Sequence, residues 1–302
     1  MPYHSPRVFH PTGSIGIFGV NTPEDVRTLQ KMMIDAGYNH IHGHHLRTTG
    51  QCDPKTNAAI IWYQRLLNMS TSGLVHPQQV WFFSMFSKAI APHWRPRESG
   101  PLRVREGQIT FDAEGIDYLR GPEPFRQPEN LKLFSRVLHW PAGLSGVTIG
   151  RGYDMKNRSA GEIMTHFRQA GIEEYKGVIC SKAAGLVGRQ AQDFVKAYGP
   201  LVGEITHLQQ LRLFEIAYKI KLVEAKNLYQ RVSHTIPNAP PWENLNLKIR
   251  DVIVDIFYQG VHDAQGLFKA AIAGKEELSA YIRNDIYYMR YEDHRQRLRY
   301  LK

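Results

Sequence analysis

The sequence predicts a mainly α (α+β) protein: a small three-helix N-terminal bundle followed by a larger helical domain with one small β element. Three observations predict it. Apolar residues recur at three- and four-residue spacing behind good helix caps, the pattern of amphipathic helices. A proline-rich charged stretch, with Pro92, Pro96 and Pro101, separates two such regions. One segment, SGVTIGRGYDM (Ser145–Met155), concentrates β-branched residues and glycines and breaks the helical pattern.

The expected division is a first module over 1–88 (core about 20–86), a linker over 89–107 and a second domain over 108–302. A length of 302 residues suits about two domains of ~100–200 residues each. In the first module, Thr22 caps a helix with Pro23 at its first position and Glu24 and Asp25 in its first turn. Val26, Leu29, Met33 and Ala36 form its apolar stripe, and Gly37 stops it. A second helix is expected over Pro54–Leu67, with Ala58, Ile61 or Trp62, and Leu66 inward. A third begins near His76-Pro77 and carries Val80, Trp81 and Phe83. In the second domain, Ser159 with Glu162 and Thr206 with Gln209 are capping-box patterns, the latter opening a long helix. DVIVDIFYQG reads as a buried helix. The last twenty residues, RNDIYYMRYEDHRQRLRYLK, read as a basic amphipathic helix with a solvated charged face.

A net charge of +10 implies an anionic partner, such as nucleic acid, a membrane surface or an anionic cell wall. No apolar run is long enough for a membrane span, and the N-terminal MPYHSPRVFHPTGS lacks the apolar core of a secretory signal, so synthesis in the cytoplasm is expected. Cys52 and Cys180 suit two free buried thiols, with neither disulfide nor zinc spacing. His40, His42, His44 and His45 are read as a loop of solvated histidines. No metal and no cofactor is expected.

Two sets of residues resemble known families. DVRTLQKMM, TTGQCDPKTNAAIIWYQRLL and TSGLVHPQQVWFF resemble the peptidoglycan-binding module of bacterial wall hydrolases, through Leu29-Gln30, Thr49-Gly50, Thr56, Ala59-Ile60, Tyr63-Gln64 and Gly73. Glu114-Gly115, followed by Thr148-Ile149-Gly150-Arg151-Gly152, resembles the pesticin-like and phage-type lysozymes. That resemblance extends over roughly 108–302 and implies a phage-lysozyme-like helical domain.

The resemblance implies a muramidase that cuts the MurNAc–GlcNAc β-1,4 bond, with peptidoglycan glycan strands as partner and nucleic acid not expected. Glu114 matches the general acid and Thr148 the threonine that orients water. Asp154 matches the second carboxylate, and Glu123, nine positions after Glu114, is the alternative. The chemistry agrees, since glycosidic cleavage needs a protonated carboxyl at the leaving oxygen and a second group for water or for the positive charge on the sugar. Arg151, Tyr153 and Ser145 are candidate substrate contacts, and Arg151 is alternatively a lock between hairpin and helices. Such proteins are phage endolysins or interbacterial toxins. The expectation is action in the periplasm or wall of a host or target cell after holin release or injection, with a periplasmic immunity protein or secretion-apparatus component as further partner. A lytic transglycosylase and an inactive wall-binding protein are the alternatives.

Overall fold

The computed structural model describes residues 8–90, 102–117 and 134–302. Glu123 and most of the expected linker lie outside the described residues. The fold is mainly α, with fourteen helices and two small sheets among the described residues. They fall into two compact units that do not follow chain order. One holds 8–90, 117, 134–150 and Asp154–Gln210; the other holds 102–116, Arg151–Tyr153 and Leu211–Lys302.

The first unit opens with β1 (Ile15–Gly16), paired antiparallel with β2 (Leu74–Val75) so that Ile15 faces Val75. Between them, α1 (Pro23–Asp35) starts behind Thr22 and buries Val26, Leu29 and Met33. It ends at Ala36, and Gly37 follows at φ +99°, a left-handed conformation that glycine adopts without a Cβ penalty. In α2 (Pro54–Leu66) the Asp53 carboxylate caps the helix by accepting from Thr56 N at 2.7 Å. Its buried face is Thr56, Ala59, Ile60, Tyr63, Gln64 and Leu66, rotated from the expected one: Ala58 is exposed and Ile61 and Trp62 are half-buried. The reason is polar, because Thr56 and Gln64 must face inward to satisfy buried backbone groups. α3 (Val80–Ser87) buries Phe82, Phe83 and Phe86 and leaves Val80 and Trp81 partly exposed.

Two glutamines organise this module. Gln30 is wholly buried. Its Nε2 donates to Thr49 Oγ1, Gln51 O and Thr56 Oγ1, and its Oε1 accepts from Thr49 N and Gly50 N, all at 2.8–3.1 Å. Gln64 does the same for the second glycine turn, accepting from Gly73 N and donating to Leu74 O, both at 2.9 Å. Each side chain fixes a glycine turn by bonding its buried amide and a nearby carbonyl.

The rest of the first unit is β3 (Thr148–Ile149), α5 (Ala160–Ala170), α6 (Glu174–Ser181) and α7 (Gly188–Val202), with β4 (Tyr153–Asp154) pairing with β3 in the second small sheet. The Ser159–Glu162 capping box forms in both directions at the start of α5. Thr206 and Gln209 bond reciprocally at the start of α8 (His207–Ser233). Trp62 of α2 stacks on Tyr198 of α7, with ring centroids 6.0 Å apart. Both cysteines are free, Cys180 buried and Cys52 half-buried. Of the clustered histidines, His40, His42 and His45 are exposed. His44 is not solvated as expected: it stacks on Tyr38 at 4.3 Å, and burial holds its pKa below the ordinary value.

In the second unit, α4 (Gln108–Ala113), α8 and α9 (Leu247–Gln259) share a core of Phe111, Phe214, Tyr218, Val252, Ile253 and Ile256. α10 (Ala264–Ala273) and α11 (Lys275–Asn284) close it with Leu267, Phe268, Leu278 and Ile282. The C-terminal residues do not form the single amphipathic helix expected. They make α12 (Ile286–Met289), α13 (Glu292–Arg295) and α14 (Arg297–Leu301), interrupted by Asp285 and by Gln296 at φ +56°. No described helix is long and apolar enough to cross a membrane.

Replacing Gln30 with the similarly sized Leu removes five hydrogen bonds and leaves the buried Gly50 amide against an apolar side chain. Each buried unsatisfied group costs about 1–3 kcal/mol. Gln30→Leu is therefore expected to lower stability by about 3 kcal/mol in denaturant unfolding followed by tryptophan fluorescence.

Candidate active site

Glu114 stands at the C-terminal end of α4, where its own amide still bonds to Thr110 O at 3.0 Å. The helix end directs the side chain, and two contacts then define its carboxylate. Oε1 accepts a hydrogen bond from Arg295 Nη2. Oε2 faces Gly152, where a Cβ would lie 2.6 Å from it. Gly152 also has φ +75°, so glycine is required there by backbone conformation and by the carboxylate's approach.

Arg295 is itself held from behind. Its Nη1 donates to Asp255 Oδ1 at 2.7 Å, and Arg297 Nε donates to Asp255 Oδ2 at 2.6 Å. Asp255 and Arg297 are wholly buried, Arg295 nearly so. Burial opposes the Arg295 charge, but Glu114 and Asp255 more than offset it, so its pKa lies above the ordinary value. Gln259 Oε1 accepts a further hydrogen bond from Arg297 Nη2 at 2.6 Å. The left-handed Gln296 is what lets Arg295 and Arg297, two residues apart, both reach one carboxylate. His294 Nε2 meets Ala113 O at 2.8 Å, a second tie between α13 and the end of α4.

Arg151 is buried. Its Nη1 donates to Phe111 O at 3.0 Å and to Gly115 O, and its guanidinium lies over the Phe111 ring at 4.4 Å. These are the contacts of a latch between the hairpin turn and α4. Tyr153 has no exposed surface.

The remaining candidates belong to the first unit. Asp154 Oδ1 accepts from Lys156 N at 2.8 Å and Oδ2 from Gly146 N at 3.2 Å, with Lys156 Nζ 3.5 Å away. A Cβ on Gly146 would lie 2.3 Å from Asp154 Oδ1, so that glycine makes room for the carboxylate. Thr148 exchanges both backbone hydrogen bonds with His139 at 2.9 Å, and its hydroxyl donates to Gly146 O at 3.3 Å. Ser145 is half-buried, and its carbonyl accepts from Trp140 Nε1 at 3.2 Å. Asp117 pairs with the buried Arg136 at 3.1 Å. Glu123 lies outside the described residues. Among the described residues, no group of three His, Cys, Asp or Glu side chains is placed to hold a metal ion.

The sequence reading missed Arg295, Asp255 and His139. His139 is buried beside Asp154, with Nδ1 3.0 Å from Val137 O. Burial holds its pKa below the ordinary histidine value, partly countered by the Val137 carbonyl and the Asp154 charge.

Comparison with known families follows the two parts of the chain. Residues 22–80 match the peptidoglycan binding domain, and Gln30, Thr56, Gln64 and Gly73 all fall within the match. Residues 107–280, more than half of the chain, match the family described as a domain of unknown function, DUF8812. The chain belongs to that family, and its matched segment contains Glu114, Thr148, Gly152, Asp154 and Asp255. No curated protein matches the sequence.

Two outcomes follow from this geometry. Asp255→Asn leaves the buried Arg297 without its paired carboxylate and Arg295 with Glu114 alone, and breaking a buried pair costs about 3–5 kcal/mol. Thermal unfolding of the variant is expected at a correspondingly lower temperature, with little dependence on salt because the pair is buried. For His139, a folded pKa below the unfolded one means that the unfolded chain binds the proton first. Its contribution is complete above pH 6.5 and is lost as pH falls through that value toward the folded pKa. Unfolding temperature should therefore drop more steeply with acidification in the native protein than in His139→Asn, whose amide can replace the Nδ1 donor.

Proposed function

We propose that the chain is a wall-targeted muramidase that hydrolyses the MurNAc–GlcNAc β-1,4 bond of peptidoglycan. The observation that carries this reading is the Glu114 carboxylate, held by Arg295 at one oxygen and presented over Gly152 at the other. A chain that also carries a peptidoglycan binding domain supports a glycan substrate.

Glu114 gives its proton from Oε2 to the leaving glycosidic oxygen as the bond to the anomeric carbon breaks. The hydrogen bond that Arg295 already makes to Oε1 strengthens as negative charge develops on the carboxylate. Thr148 spends its own hydroxyl proton on Gly146 O, leaving lone pairs to accept from a water and fix its direction. The water oxygen bonds to the anomeric carbon as Asp154 takes its proton, or Asp154 faces the positive sugar as a carboxylate. Glu123 is the alternative for this second role. Arg151 and Gly152 act by position: one latches the hairpin turn and the other lets backbone approach the acid.

The protein would act in the periplasm or wall of a target or host cell, as an injected toxin or a holin-released endolysin. An immunity protein covering Glu114 would then be its natural antagonist.

Glu114→Gln is expected to fold with native circular dichroism and to lose about 10²–10⁴-fold in release of soluble fragments from dye-labelled sacculi. Full activity in this variant would remove Glu114 from the mechanism. A native protein inactive on sacculi across pH 4–8 would remove the hydrolase reading itself.

A further inference from the structure

The loop before α1 shows a feature that catalysis does not use. Phe18 is fully exposed, at 100%, and sits at φ +58°, a conformation unfavourable for a bulky aromatic residue. Its neighbour Val20 is 71% exposed. An aromatic ring at a strained position with all of its surface in water contributes nothing to folding and costs conformational energy.

The loop beneath it is rigidly built. Ile17 N donates to Gly73 O at 2.9 Å, Gly19 N to Gly16 O at 3.0 Å and Asn21 N to Ser14 O at 3.0 Å. The Asn21 side chain accepts from Gly16 N at 2.8 Å and donates to Gly16 O and Gly19 O, both at 3.0 Å. Val20 N reaches Ser14 Oγ at 3.1 Å. A Cβ at Gly13 would strike Val20 Cβ at 2.8 Å, and one at Gly19 would strike Ser14 O at the same distance. The turn therefore closes tightly and holds Phe18 in a preformed position, with most of the ordering cost met before any ligand arrives.

We propose that Phe18 is a sugar-stacking residue of the module, laying its ring against the apolar face of a pyranose in the peptidoglycan glycan strand. This rests on the wall-targeting part of the reading above. Two observations favour a glycan over a lipid surface. The loop from Gly13 to Asn21 contains no Lys or Arg to engage anionic headgroups. Only two apolar side chains are presented, enough for one ring of a sugar and too few for stable membrane insertion. The flat ring offers area at low entropic cost, as aromatic residues do at other recognition surfaces.

The test is co-sedimentation of the full-length protein with purified sacculi at 4 °C, comparing the native chain with Phe18→Asn and Phe18→Trp. Asn is tolerated in the left-handed region and Phe18 packs against nothing. Phe18→Asn should therefore keep or raise the unfolding temperature while losing about tenfold in sacculus affinity. Phe18→Trp should bind as well as the native protein or better. Equal sacculus binding by Phe18→Asn would overturn the proposal while leaving wall targeting intact. A native protein that does not sediment with sacculi would overturn both. A parallel arm uses vesicles of phosphatidylglycerol and cardiolipin. Loss of binding there, with sacculus binding unchanged, would make the loop a membrane contact and reject the sugar assignment.

Discussion

Asp255 is wholly buried between the guanidinium groups of Arg295 and Arg297. Burying a carboxylate alone is costly, and so is burying either arginine. Together, with Gln259 Oε1 accepting from Arg297 Nη2, they offset much of that cost. The arrangement also carries direction. Arg297 is committed to Asp255 and Gln259, whereas Arg295 spends one nitrogen on Asp255 and turns another to Glu114. The orientation of the acid thus depends on a carboxylate it never touches. The three short C-terminal helices serve that geometry, because a continuous helix would carry Arg295 and Arg297 apart by about 200° around its axis.

Glycine serves the same end from the opposite side of Glu114. Gly152 lets the hairpin turn come within contact of Oε2, and Arg151 fixes that turn to the carbonyls of Phe111 and Gly115. The acid is therefore bounded by a cation on one oxygen and by bare backbone on the other. Both supports come from packed elements, as the proton transfer proposed for Glu114 would require.

What the sequence disclosed is local. The capping boxes at Ser159 and Thr206, the Pro23 helix start and the Gly37 stop are interactions between residues a few positions apart, and each formed as read. Gln30 and Gln64 were legible as motif letters, but their reason, two glycine turns in need of donors and acceptors, needed the fold. The face of α2 was misread because apolar spacing ignores that Thr56 and Gln64 must point inward. His44 looked solvated because a sequence does not announce Tyr38 and Trp62 around it. Arg295 and Arg297 looked like a solvated basic face for the same reason: Asp255 lies 40 positions away, and a left-handed glutamine has no sequence signature. Glu114 was singled out through its neighbour Gly115 and the distant Gly-rich hairpin, whereas its arginine partner lay among basic residues that read as a solvated face.

The central claim is that Glu114 delivers a proton to a glycosidic bond that water then hydrolyses. Mass spectrometry of fragments released from purified sacculi reads that chemistry directly. The account predicts disaccharide-peptide fragments ending in reducing muramic acid from the native protein. Fragments ending in 1,6-anhydromuramic acid, or none at all, would contradict it.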